Sequence, residues 1–341
     1  MMSFIESVAS LAQSRAPQAV VESNWLFSWI ALFLIVVGLV AFSYSTRAGI
    51  ISRATTKEAI RQPLFFLLLF ICAFVLILNT FMPFFTMEND QRYTTESGDI
   101  KMLKECGLAT ILIAGAFLAV WTAGTSITSE IEGKTAMTLL SKPINRRQFV
   151  LGKYVGILQA SMWLFLVLGI ILCCCVFYKV GYDQRESSQE VTPLLQWHEV
   201  GGAELPLPHP KRMGVVYALF PGLALAFMQV TVLSAIAVTI ATRLPMVVNL
   251  VSCFAIFVVG NLAPLLVQRS QTAIGNEYVT FTARLIATVL PSLESFNTSA
   301  ALESGKSVPQ DYLGISLVYA ASYSAAVILL GFILFEDRDL A

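Results

Sequence analysis

Between Tyr154 and Val176 the chain carries no Asp, Glu, Lys or Arg. An α-helix of that length, rising about 1.5 Å per residue, crosses a bilayer hydrocarbon core of about 30 Å. A membrane span is therefore the fold that best accommodates this run. Seven segments of comparable apolar character stand out, at about Trp25–Tyr44, Pro63–Phe85, Leu103–Thr125, Tyr154–Tyr178, Val215–Ala241, Met246–Val267 and Tyr312–Phe335. Strands of a membrane barrel would alternate apolar and polar residues over about ten positions. These runs are apolar on all sides, as spanning helices are. Only 13% of the residues are charged, against about a quarter in soluble proteins, and 56% are apolar. The expected fold is an all-α integral membrane protein, a polytopic bundle of about seven transmembrane helices.

Lysine and arginine in short loops resist translocation, so their distribution sets orientation. The loop after the first run holds Arg47, Arg53, Lys57 and Arg61 against Glu58, and the loop after the third holds Lys134, Lys142, Arg146, Arg147 and Lys153 against Glu130 and Glu132. Both are expected to be cytoplasmic. The intervening loops are acid-rich, with Glu88, Asp90, Glu96 and Asp99 in one and Asp183, Glu186, Glu190, Glu199 and Glu204 in the other. An odd number of spans then places the N-terminus outside and the tail Glu336-Asp337-Arg338-Asp339 inside. Net charge is zero, so no global basic field points to nucleic acid. Residues 1–24 lack the basic start and small-residue cleavage site of a signal peptide. The chain therefore divides into an N-terminal tail with an extra anchor, 1–45, and a transmembrane domain, 46–341.

Two segments read as helical without spanning. Residues 47–62 mix Ile50, Ile51, Ala54 and Ile60 with basic residues just before Pro63, which suits an interfacial helix with its cations toward anionic headgroups; a solvated linker is the alternative. Pro63 suits the first turn of the next span. Residues 278–304 are moderately apolar but broken at Pro291 and interrupted by Arg284, Glu294 and Asn297, which disfavours crossing. A re-entrant or interfacial helical hairpin on the outer side is expected there.

In the central loop, residues 127–153, Ser129 and Glu132 have the spacing of a capping box, and Ala136, Leu139 and Leu140 recur at helical spacing before Pro143 ends the run. The apolar stripe of such a helix needs a partner: the membrane surface, the protein's own bundle or a soluble subunit. No Gly-x4-Gly-Lys-Ser/Thr phosphate loop occurs in the sequence. The span cores offer neutral polar groups such as Asn79, Gln159, Gln229, Asn249 and Asn261 where proton-coupled carriers place titratable relays; sodium held by carbonyls and hydroxyls stays open. Cys173-Cys174-Cys175 cannot converge on one ion from a regular helix, because successive residues point about 100° apart. His198 and His209 sit in a Pro-rich loop and are read as exposed. No metal site is expected, and no Ser, His and acid cluster supports a hydrolase.

The run Glu130-x-Glu132-Gly133-x-Thr135-x3-Leu139-Leu140-Ser141-x-Pro143-x2-Arg146-Arg147-x-Phe149-x2-Gly152-Lys153 resembles the loop between the second and third family spans of type-2 ABC exporter permeases. Thr56-Lys57-Glu58-Ala59-Ile60-Arg61, Leu290-Pro291-Ser292-Leu293-Glu294-Ser295-Phe296-Asn297 and the closing Phe335-Glu336-Asp337-Arg338-Asp339-Leu340 extend the resemblance from about Arg47 to the end. The resemblance implies a membrane subunit without its own ATPase motif in a bacterial cytoplasmic membrane. It implies two partners besides the bilayer: a separate ABC ATPase carrying ATP and Mg, and a second permease copy in a homodimer or heterodimer. It further implies a coupling helix with Glu130, Glu132, Thr135, Leu139, Leu140, Pro143 and Arg147 at the ATPase, and an outer gate hairpin with Pro291, Phe296 and Asn297. No cofactor is expected on this chain. The family plan has six spans with the N-terminus inside, and Trp25–Tyr44 adds a seventh here. Other readings are a secondary transporter or channel without ATPase, and a membrane scaffold or assembly factor.

Overall fold

The computed structural model describes residues 37–38, 40–82, 97–128, 130, 146–186, 191–200, 203–269, 278, 281, 285, 289–299 and 308–336. Six helices among them are long and apolar enough to cross a membrane: Pro63–Phe81, Gly98–Thr128, Arg146–Glu186, Pro210–Ala241, Met246–Ala263 and Asp311–Phe335. They coincide with the second to seventh expected spans. Of Trp25–Tyr44, residues 37–38 and 40–44 are described and helical; the rest of that expected span lies outside the described residues.

Helix α1 (Arg47–Arg61) starts at Thr46, whose extended backbone and hydroxyl, accepting from Gly49 N at 3.0 Å, supply an N-cap. It ends because Pro63 disfavours helix in the preceding residue, and Gln62 is accordingly extended. Pro63 then opens α2 (Pro63–Phe81) at a position where no intrahelical N–H is needed. Ser97 caps α3 (Gly98–Ala123) by accepting from Ile100 N, and Asp99 in the first turn suits the positive end of the helix dipole. The helix continues into a π-helical turn, Gly124–Thr128. Helix α4 (Arg146–Glu186) runs about 60 Å, so the expected Tyr154–Tyr178 is only its middle. The polar residues on either side of that middle extend the helix beyond the hydrocarbon at both ends.

Between α4 and α5 the chain forms a two-stranded antiparallel hairpin that the sequence reading did not anticipate. Strands β1 (Leu195–Val200) and β2 (Ala203–Pro208) pair with Val200 opposite Ala203 and Leu195 opposite Pro208. The two residues linking them are Gly201-Gly202, a type favoured in two-residue hairpin links. Then follow α5 (Pro210–Tyr217), α6 (Leu219–Ala241), α7 (Met246–Arg269), a single 3-10 turn at Leu293–Phe296 and α8 (Gln310–Glu336).

Helix α6 is the hub, packed against α3, α4, α7 and α8 and buried over most of its length. Phe165 of α4 meets Phe227 of α6 edge-on at 5.5 Å. By contrast, Phe66, Phe70 and Phe74 of α2, Val251 and Phe254 of α7, and Ile315 and Val318 of α8 are exposed. Apolar surface of that extent exceeds what a water-soluble monomer presents, and it suits lipid. Since lipid is as apolar as these side chains, cohesion between helices rests on close packing and hydrogen bonds.

Candidate functional site

The polar groups of the bundle concentrate at the root of the central loop. Lys153, about two turns into α4, is 3% exposed. A buried ammonium is tolerable only when paired and hydrogen-bonded. Its Nζ lies 2.7 Å from Glu130 Oε1, 2.7 Å from Ser126 Oγ and 3.4 Å from Ser126 O, with Glu58 Oε2 of α1 at 3.9 Å. One side chain thus gathers the end of α3, the start of the loop and the last turns of α1.

The π turn supplies part of this geometry. Its extra residue per turn sets Ser126 toward α4, and such turns recur at functional sites. Thr125 donates back to Trp121 O at 3.0 Å and accepts from Gln62 Nε2 at 3.4 Å, which ties the start of α2 to the same turn. At Gly124 an added Cβ would meet Met246 Cγ at 3.0 Å, so the first turn of α7 also lies against this point.

The seam between α1 and α4 is made by small residues. A Cβ at Gly152 would stand 2.7 Å from Ala48 O, and one at Gly156 would stand 2.7 Å from Ser52 O and from Thr55 Cβ. Only glycine permits this approach of two helix backbones. One turn further on, Gln159 Oε1 accepts from Ser52 Oγ at 3.1 Å and Thr56 Oγ1 at 3.0 Å, while its amide donates to Ser43 Oγ. At the exit of the loop, Phe149 stacks on Phe335 of α8 at 5.8 Å and Arg146 Nη1 reaches Phe335 O at 3.5 Å.

Of the seven residues expected in the coupling loop, Glu130 and Arg147 are among the described residues. Glu130 stands in the Lys153 cluster and Arg147 is exposed on the first turn of α4. Glu132, Thr135, Leu139, Leu140 and Pro143 lie outside the described residues. Lys153 as the organising residue, with Ser126 and Glu58, was not singled out from sequence. The available signal was that Lys153 is the last charge before a long uncharged run.

The opposite end of the bundle holds a second buried lysine. Lys179 of α4, fully buried, lies 3.8 Å from Asp99 of α3 and 3.6 Å from Asp183, and Ser97 hydrogen-bonds Asp183. Helix α4 is therefore joined by an ion pair to α3 near one end and, near the other, to Glu130 just beyond the π turn that continues α3. Close by, Arg212 of α5 donates to Thr192 O at 2.6 Å and Phe177 O at 3.2 Å, pinning α5 to α4.

The three residues expected in the gate hairpin separate into two groups. Pro291 is buried, with its carbonyl against Gly260 of α7, where an added Cβ would meet it at 2.9 Å. Phe296 is 2% exposed and lies 5.9 Å from Tyr319 of α8. Asn297 is exposed and its Oδ1 accepts from Ser299 N at 3.0 Å. Tyrosines of α8 fasten this stretch: Tyr323 donates to Val289 O at 3.3 Å, Tyr319 accepts from Ser292 N at 3.0 Å, and Tyr312 donates to Ser295 O. Gly260 is about 13 Å along the axis from Arg269, so the turn is inserted beside α7 well below that helix's end.

No group of three or more His, Cys, Asp or Glu side chains placed to hold a metal occurs among the described residues. Residues 60–210, from the end of α1 to the start of α5, match the model of a family described as ABC-2 family transporter protein. No curated protein matches the chain.

Proposed function

From the match of residues 60–210 to the ABC-2 family transporter model, we propose that this chain belongs to that family and is the permease subunit of an ATP-driven exporter, powered by a separate ATPase that docks on the loop 127–153. The observation that carries this reading is the Lys153 cluster. A loop used as a mechanical handle must not fray from the helices it drives, and here its two roots are joined to each other and to α1 through one buried ammonium.

Closure of two ATP-loaded ATPase subunits would push on the loop from the cytoplasmic side. Because α4 is tied to α3 near one end and to the loop root that continues α3 near the other, the push tilts them together instead of sliding one past the other, and a path between two permease copies changes from inward to outward access. A shift follows only if the loop binds the open and closed ATPase pair with different affinity. ATP and Mg belong to the ATPase in this scheme. The turn at Pro291 would act as the outer gate, since it is inserted among α6, α7 and α8 at the end remote from the loop.

Affinity purification of the full chain from its native membrane in mild detergent tests the reading. An ATPase should co-purify, and the complex should hydrolyse Mg-ATP. A pure, folded protein that brings no ATPase would overturn it in favour of a carrier or scaffold.

A further inference from the structure

The outward face of α1 is a second candidate site, and its chemistry is independent of the ATPase. The helix buries Ala48, Gly49, Ser52, Thr55, Thr56 and Ala59. At about 100° per residue, Arg47, Lys57 and Arg61 fall opposite that stripe, and Arg53 falls on its flank. Arg53, Lys57 and Arg61 follow one another at four-residue spacing, so three like charges are stacked on neighbouring turns. Such spacing is unfavourable by itself. Among the described residues none of these three cations has a carboxylate within ion-pair distance; Glu58, on the other flank, is engaged with Lys153. The Arg53 guanidinium lies 4.8 Å from the ring of Tyr44, and its Nε is occluded with no hydrogen-bond partner. Tyr44 and Ile50 are themselves 72% and 62% exposed beside these charges.

An apolar rim below a row of unpaired cations matches an amphiphile with an anionic head. The position agrees: α1 stops at Arg61 and the membrane-crossing α2 begins at Pro63, so Arg61 lies where headgroups meet hydrocarbon. We propose that Arg53, Lys57 and Arg61, with Tyr44 and Ile50, form a binding site for the headgroup of an anionic phospholipid. The phosphodiester would take the place of the missing carboxylates, and the acyl chains would run down past Ile50 and the exposed phenylalanines of α2.

Native mass spectrometry tests the site, using the full chain extracted from vesicles of phosphatidylcholine with a minority of phosphatidylglycerol. The wild type should retain phosphatidylglycerol in excess of its share. Each removed cation should weaken that preference about fivefold, so K57Q/R61Q, both exposed and compatible with helix, should reduce it roughly 25-fold. R53Q should reduce it on its own without changing the melting temperature in phosphatidylcholine alone. Equal retention of the two lipids by the wild type overturns the proposal, as does unchanged selectivity in K57Q/R61Q. Loss of ATPase co-purification in K57Q/R61Q with lipid selectivity intact would make the stripe a protein-docking face and likewise overturn it.

Discussion

Lys153 Nζ and Glu130 Oε1 stand 2.7 Å apart although the residues are 23 positions apart in the chain, because the segment between them leaves α3 and returns at α4. The pair closes the base of that segment. Both partners lie beside Ser126, so the closure includes the π turn as well as the two helices.

Lys153→Met should remove the ammonium that Glu130 faces at 2.7 Å. Breaking a fully buried pair costs about 3–5 kcal/mol, and with Glu130 24% exposed the loss should fall somewhat under that range. Thermal unfolding in detergent should show a lowered midpoint, and K153M/E130Q should recover part of it. Additive losses in the double variant would show that the two residues are not coupled.

Gly156→Ala should destabilise and Gly169→Ala should not. The first adds a methyl 2.7 Å from Ser52 O and Thr55 Cβ, neither of which can swing away, and overpacking of this kind costs about 1–3 kcal/mol. The second meets only Leu223 at 3.5 Å, ordinary contact, and replaces a glycine in mid-helix, which favours the helix by about 0.5–1 kcal/mol. Opposite shifts in unfolding midpoint are the expected result, and equal shifts would contradict the seam.

Leu140→Asp should abolish ATPase co-purification with no change in the unfolding midpoint. Under the proposed docking, a carboxylate carried into an apolar groove on the ATPase is opposed by its desolvation. Wild-type recovery of the complex from this variant would remove Leu140 from the docking face.

Gly260→Val should loosen the turn at Pro291, because the new side chain meets Pro291 O at 2.9 Å and Leu293 at 3.0 Å. In a cysteine-free background, a cysteine at Ser292 should react faster with an impermeant thiol reagent added outside, while ATPase co-purification stays unchanged. Identical labelling with and without the valine would show that the turn does not depend on Gly260.

The apolar runs were legible because a span must be apolar on all sides, and six of the seven expected runs stand as spanning helices to within a few residues at most ends. The break at Pro63 and the extent of α1 were also legible, since proline constrains its predecessor. Lys153 was not, because at the border of a run a lysine reads as one more loop charge, and only tertiary packing buries it under Glu130 and Ser126. The π turn at Gly124 has no signature in its composition. The hairpin at Leu195–Pro208 did carry a signal in Gly201-Gly202, but Pro206 and Pro208 obscured the strand pattern around it. The tyrosine contacts of α8 depend on backbone atoms of Val289, Ser292 and Ser295, whose side chains say nothing of them.

Lys153 and Lys179 lie about 39 Å apart along α4, close to the separation of the two headgroup layers and well beyond the hydrocarbon alone. Lys179 is held by Asp99 of α3 and Lys153 by Glu130 just beyond the π turn that continues α3, so neither can snorkel independently to follow a moving interface. A membrane with shorter acyl chains would expose apolar residues of the span between the two ion pairs to headgroups and water unless both helices lean over as a unit. Mismatch of bilayer thickness is thereby converted into inclination of the helix pair that carries the loop, which makes the lipid composition of the host membrane a mechanical input to this protein.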